Sequence, residues 1–258
     1  MQDEIITYEQ PLNEHIRVCL RLEHLFEQIV NNLENPTDWG SRTAILALLE
    51  TVNVIDRPDL KTKLTKALTQ HAATLTQLEV LPQVDGSKLR TVLSELDRLI
   101  DQLYATQGKI GHNLRGNEFL NTIRQHLYNP GGAVNFSNPG FQLWLQQPSV
   151  TRINDLKIWV KEFDQLRDVV NILLRLTRQS SLPIEKYADN GFYQQALDPN
   201  ATCEMVRVML PVTSNLYPEI SVGRHRLSVR FLEPNCHELG RSKQCDYNLK
   251  FKLTCCAI

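Results

Sequence analysis

Residues 224–231, RHRLSVRF, read with a period of two, place Leu227, Val229 and Phe231 on one face of a strand and Arg226, Ser228 and Arg230 on the other. Arg207 in CEMVRVML and Lys250 and Lys252 in CDYNLKFKLTCC fall on the polar parity of their own strands. Five cations then share one sheet face, with no acidic residue among the outward positions of the three strands. Two readings are open. An exposed face must carry polar groups, and Lys and Arg serve as well as others. Yet like charges opposite one another on neighbouring strands are mildly destabilising, so an unneutralised cluster also fits an anionic ligand. Carboxylates suit it best, because a guanidinium grips them with two parallel N–H donors.

Other chemistry is sparser. CHELGRSKQC places Cys236, His237 and Cys245 in a hairpin loop, and Cys255 and Cys256 lie near the chain end. Such a set could bind zinc, but it lacks a CxxC pair, so isolated thiols and no metal site are expected. No GxGxxG, Walker A, HExxH or GxSxG pattern is present. His15, His24 and His71 fall on helix faces as surface or interface residues, and Glu23 with Glu27 has the i, i+4 spacing of a solvated helix face. No catalytic residue, and no enzyme, is indicated.

The elements that must position these residues change period near residue 200. LNEHIRVCLRLEHLFEQIVNNL, after Pro11, carries Leu12, Ile16, Cys19, Phe26, Val30 and Leu33 at helical spacing, with Pro11 suited to a first helical turn. A second helix runs from about Ser41; its AILALLETVNVI is apolar on more than one face and should be buried. It must stop before DRPD, because Pro58 disfavours helical geometry at Arg57. A third carries Leu60, Leu64, Leu68, Leu75 and Leu78. A fourth, capped by Asp85 or Ser87, carries Leu89, Val92, Leu93, Leu96, Leu99, Ile100 and Leu103. A short helix lies at NEFLNTIRQHLYN. PGGAVNFSNPGFQLWLQQP, with three glycines and three prolines, reads as a shaped loop that tucks Phe136, Phe141, Leu143 and Trp144 into the core. One long helix is expected from about Thr151 to Gln179, and DNGFYQQALDPN closes the helical region. The three strands follow, with a fourth near LYPEISV. The fold class is therefore α+β: a helical domain over 1–200, its Gly/Pro-rich loop near 129–148, and a small antiparallel sheet over 201–258 packed on the helices.

Composition narrows the function classes. Formal net charge is −1, which argues against a nucleic-acid binder. Residues 201–258 hold eight Lys and Arg against five Asp and Glu, while residues 1–200 hold 20 against 24, so positive charge concentrates on the strands. No run of roughly 18 apolar residues offers a bilayer span, and MQDEIITYEQPLNEH has no basic segment leading into an apolar one. A chain without membrane insertion and not secreted is expected, with its six cysteines reduced.

Six blocks in order, QPLNEHIRVCLRLEHLF, YNPGGAVNF, NPGFQLWL, NGFYQQ, LYPEISVGRHRLSVRF and LTCC, resemble the ZapD family of bacterial cell-division proteins from near the first residue to the last. The resemblance implies a cytoplasmic homodimer with a helical and a β-rich domain. Such a protein binds the C-terminal tail of FtsZ, cross-links its filaments and supports Z-ring assembly at midcell, without cofactor or catalysis. It implies a basic pocket between helices and sheet, whose arginines match Arg17, Arg57, Arg226 and Arg230, with Arg207, Lys250 and Lys252 adding charge. Gln142 stands where the family pattern carries histidine, keeping a hydrogen-bonding group without charge. Cys19 stands where some members carry tryptophan. A regulatory module recognising another acidic segment or an anionic small ligand is the alternative. The dimer interface is left open between the long helix from Thr151 and the first helix.

Overall fold

The computed structural model describes residues 4–106, 108–126, 136–198, 203–235 and 241–257. In chain order the elements are β1 (Ile5–Pro11), α1 (Glu14–Leu33), α2 (Asp38–Ile55), α3 (Leu60–Thr76), α4 (Gly86–Ala105), α5 (His112–Gly116), α6 (Glu118–His126), α7 (Pro139–Leu145), α8 (Ser149–Lys161) and α9 (Asp164–Gln179), followed by β2 (Ile184–Ala188), β3 (Phe192–Ala196), β4 (Cys203–Pro211), β5 (Tyr217–Val222), β6 (Arg226–Glu233), β7 (Lys243–Gln244) and β8 (Leu249–Ala257). Helices dominate the N-terminal part and antiparallel strands the C-terminal part, so the fold class is the α+β expected. Two compact units divide the chain, Val18–Leu174 and Met1–Arg17 with Arg175–Ile258. Residues 1–200 are thus not wholly helical, because β1, β2 and β3 lie within them and join the strand-bearing unit.

In the helical unit, α1 buries Cys19, Leu22, Phe26 and Ile29 from one stripe, while Val30 is exposed. The all-round apolar α2 is buried as its sequence requires, from Ala44 and Ile45 through Leu48, Leu49 and Val52 to Ile55. It ends at Ile55 and α3 opens at Leu60, leaving Arg57 and Pro58 in the corner between them. Asp85 caps α4, accepting N–H bonds from Ser87 and Lys88 at 3.0 and 3.2 Å.

Three expectations for this region change. The Gly/Pro-rich segment is described only from Phe136 onward, and there Pro139 opens α7 under an Asn138 cap whose side chain accepts from the Phe141 N–H at 3.0 Å. Phe141 and Trp144 are buried, but Phe136 is 87% exposed and Leu143 65%. Second, the long helix from Thr151 is two helices. The N–H groups of Glu162 and Phe163 bond three residues back, to Trp159 and Val160, and Asp164 opens α9. Buried Phe163 continues the apolar stripes on both sides, so the periodicity runs through the break unseen. Third, His71 is buried rather than on a surface.

The strand-bearing unit is a sandwich of two antiparallel sheets, ordered β1-β4-β8-β2 and β3-β6-β5, with β7 added to β6. Val206, Val208 and Leu210, then Leu227, Val229 and Phe231, then Phe251 and Leu253 face one another in a single core. Phe231 and Phe251 meet edge to face across it, 4.9 Å between ring centres. Burying each such side chain stabilises by about 1.5–3 kcal/mol.

Pro11 closes β1 instead of opening a helix. The Leu12 N–H still bonds the Glu204 carbonyl at 2.8 Å, and the Asn13 side chain caps α1 through the Ile16 N–H at 2.9 Å. DNGFYQQ is a hairpin corner. Asp189 and Phe192 exchange two N–H···O=C bonds of 2.9 Å around Asn190 and Gly191, whose φ values are 46° and 69°. That is the two-residue turn in which Asn-Gly is preferred. It hands the chain from one sheet, through β2, to the other, through β3.

Candidate functional site

The register of β3, β6 and β5 arranges the outer face of their sheet in rows. Phe192, Arg230 and Glu219 form one row, Gln194, Ser228 and Ser221 the next, and Ala196 with Arg226 the third. Gly223 bonds the Arg226 carbonyl beyond it. Four residues along one strand put the two arginine Cα atoms about 13 Å apart. Ser228 lies between them, with Ser221 and Gln194 beside it in the middle row.

The two arginines are differently engaged. Arg230 reaches Glu219 only at 3.7 Å, with both side chains more than half exposed, and a pair of that kind contributes about 0–1 kcal/mol. A ligand carboxylate can displace Glu219 at small cost. Arg226 is exposed and has no side-chain partner among the described residues. Phe192, directly across from Arg230 and partly exposed, supplies apolar surface on the same face.

The five cations do not share one face. β4 and β8 belong to the other sheet, so Arg207, Lys250 and Lys252 point away from the opposite side of the sandwich. Nor are acidic partners missing. Arg207 donates to Glu9 on β1 at 2.9 Å, and Arg178 grips the same carboxylate at 2.9 and 2.8 Å. With the Arg207 and Glu9 side chains only 18% and 15% exposed, this is a half-buried structural cluster. Lys250 lies 3.3 Å from Glu185 on β2 and 5.1 Å from the centre of the Tyr187 ring. Hydrogen bonds from Lys250 and then Tyr187 hold the Glu185 carboxyl below its usual range, and the Lys252 charge adds to them. Lys252 itself is exposed, beside Glu185 in register.

The remaining site residues lie elsewhere. Arg17 on α1 pairs with Glu14 at 2.7 Å, both side chains about 40% exposed. In the helical unit, Arg57 is exposed at the α2–α3 corner, and Gln142 is half-buried on α7. Sequence reasoning missed the carboxylates Glu9, Glu185 and Glu219 because the strands that carry the first two went unrecognised. The Asn190-Gly191 pair was the signal for β2 and β3, and the β-branched run Ile5, Ile6, Thr7 for β1.

Among the described residues no group of three His, Cys, Asp or Glu side chains is placed to hold a metal ion; Cys236 and His237 fall outside those residues. No helix among the described residues is long and apolar enough to cross a membrane.

Comparison with known proteins bears on the whole chain. The family model of ZapD, a cell division protein, matches residues 20–230. The chain is 51% identical over 253 residues to the cell division protein ZapD of Coxiella burnetii strain RSA 331, covering 98% of each. It is 37% identical to the protein of that name from Ralstonia pickettii over 98% of this chain and 99% of the other. With the Methylococcus capsulatus protein of that name, identity is 33% across the full length of both.

Proposed function

The chain belongs to the ZapD family of cell division proteins, and from that premise we propose that it binds the C-terminal tail of FtsZ and, as a homodimer, cross-links FtsZ filaments into the Z-ring. The observation that carries the reading is the exposed Arg226, without an acidic partner among the described residues, four positions from a loosely held Arg230 on the same face. Two guanidiniums at that spacing suit an extended peptide bearing carboxylates, with Phe192 as an apolar contact beside them. Arg17 and Arg57 belong to the proposed set through their match to the family motifs, and Gln142 because it stands where those motifs carry histidine. Lys250 and Lys252 contribute charge from the other face of the sandwich, and Arg207 acts indirectly, by anchoring Glu9.

In this reading the protein is cytoplasmic and gathers at midcell because its ligand does. A body with two tail sites can hold two filaments, and attachment to a polymer exceeds the strength of a single peptide contact. The test is sedimentation of FtsZ filaments with the purified chain. Bundles should pellet with full-length FtsZ and fail to form with FtsZ lacking its C-terminal tail. Equal bundling of the truncated filaments would show that the tail is not the ligand.

A further inference from the structure

The start of β4 lies beside the end of β8, where a bulge between Cys203 and Met205 shifts their register by one residue. Cys203 and Cys255 both pack against the sandwich core there. Cys203 stands opposite Ala257 and Cys255 opposite Val206, so the two are diagonal neighbours on adjacent strands, and the Cys203 S–H lies 3.5 Å from the Met205 carbonyl oxygen, which accepts from it. Gln195 on β3 directs its side-chain N–H at the Cys255 sulfur from 3.7 Å. The two half-buried thiols line a cavity of about 390 Å³, together with Leu197, Val222 and Arg224. That space admits a small solute readily.

We propose that Cys203 and Cys255 are a peroxide-oxidised thiol pair that closes into a reversible disulfide. The Cys255 thiolate attacks one oxygen of a hydroperoxide, the O–O bond breaks, and hydroxide (or alkoxide) leaves and takes up a proton, giving a sulfenic acid at Cys255. The Cys203 sulfur then attacks the Cys255 sulfur as the S–O bond breaks, and its proton leaves with the departing hydroxide as water. With hydrogen peroxide, two thiols and one peroxide yield one disulfide and two waters, each sulfur losing one electron and each peroxide oxygen gaining one. Closing the S–S bond of about 2.05 Å draws together two residues that the register already makes diagonal neighbours, and requires the bulged start of β4 to shift toward β8.

The same geometry sorts the roles. The neighbouring Cys203 thiol, above all, then the Gln195 N–H, with the Lys186 charge adding and burial opposing, lowers the Cys255 thiol to about 7. A substantial thiolate fraction is then present at neutral pH. The Cys255 thiol beside it, followed by burial, raises Cys203, which stays protonated as the resolving thiol. Its neighbour Cys256 is fully buried and pushed up to about 11, chiefly by burial, while Cys19 and Cys245 are also buried. Among the described cysteines, accessibility and an adjacent second thiol coincide only at this pair.

The experiment treats the reduced full-length chain with hydrogen peroxide, blocks remaining thiols with iodoacetamide and maps the peptides by mass spectrometry. A Cys203–Cys255 linked peptide, two mass units below the sum of its reduced parts and cleaved by dithiothreitol, is expected. Cys203→Ser should stop at a Cys255 sulfenic acid that dimedone traps, and Cys255→Ser should leave Cys203 alkylatable. In wild type the oxidation rate should rise as pH passes through about 7. Full alkylation of both residues after peroxide, or linkage of Cys255 to Cys236 or Cys256 instead, would overturn the proposal. The peptide map of wild type decides this even if either variant fails to fold.

Discussion

Arg207 and Arg226 sit at equivalent parity on two strands, yet their surroundings give them opposite work. Arg207 shares the Glu9 carboxylate with Arg178 in a half-buried cluster, so truncating it strands a partly desolvated carboxylate. Arg207→Ala should cost about 1–3 kcal/mol in urea unfolding. Arg226→Ala removes a side chain without a partner among the described residues, and its unfolding midpoint should stay within about 0.5 kcal/mol of wild type. An equal loss of stability in the two variants would contradict this division. The parity of each arginine was legible from its own strand. Its partner was not, because Glu9 is 198 residues from Arg207 in sequence and local alternation carries no information about which strands become neighbours.

At the scale of elements, the Asn190-Gly191 corner is the point on which both sheets depend. Gly191 has φ 69°, and a β-carbon there would lie 2.4 Å from the Cys245 carbonyl oxygen. Gly191→Ala should therefore destabilise the fold by at least about 1–3 kcal/mol, read from urea unfolding; an unchanged midpoint would mean that the corner is not fixed in this geometry. In the helical unit Arg152, 4% exposed, ties three segments together. It donates to Ser41 Oγ on α2 at 3.0 Å, to the Leu145 carbonyl on α7 at 2.8 Å and to the Pro36 carbonyl at 2.6 Å. Arg152→Met leaves Ser41 Oγ and the Leu145 carbonyl buried without their donor, and a loss of about 3–5 kcal/mol is expected in the same assay. Helices α1 to α4 were legible because their apolar stripes persist over four or five turns. β2 and β3 were not, since five-residue strands give too few alternations to stand out and the turn between them was read as a helix terminus. The break before α9 escaped because Phe163 satisfies the stripes of both helices.

For the whole molecule, family membership rests on similarity along essentially the entire chain, and the two exposed arginines are the site we propose for tail binding. The small net charge hid these arginines in composition, whereas the alternation in RHRLSVRF put both on one exposed sheet face. Tail binding should be electrostatic and so weaken as ionic strength rises. The most direct measurement is fluorescence anisotropy of a labelled FtsZ C-terminal tail peptide titrated with wild type and with Arg226→Glu, at low and moderate salt, with circular dichroism of both proteins. The account predicts saturable wild-type binding that salt weakens and that the charge reversal reduces tenfold or more while the fold is unchanged. Equal binding by a folded Arg226→Glu variant, or no binding by folded wild type, would contradict it.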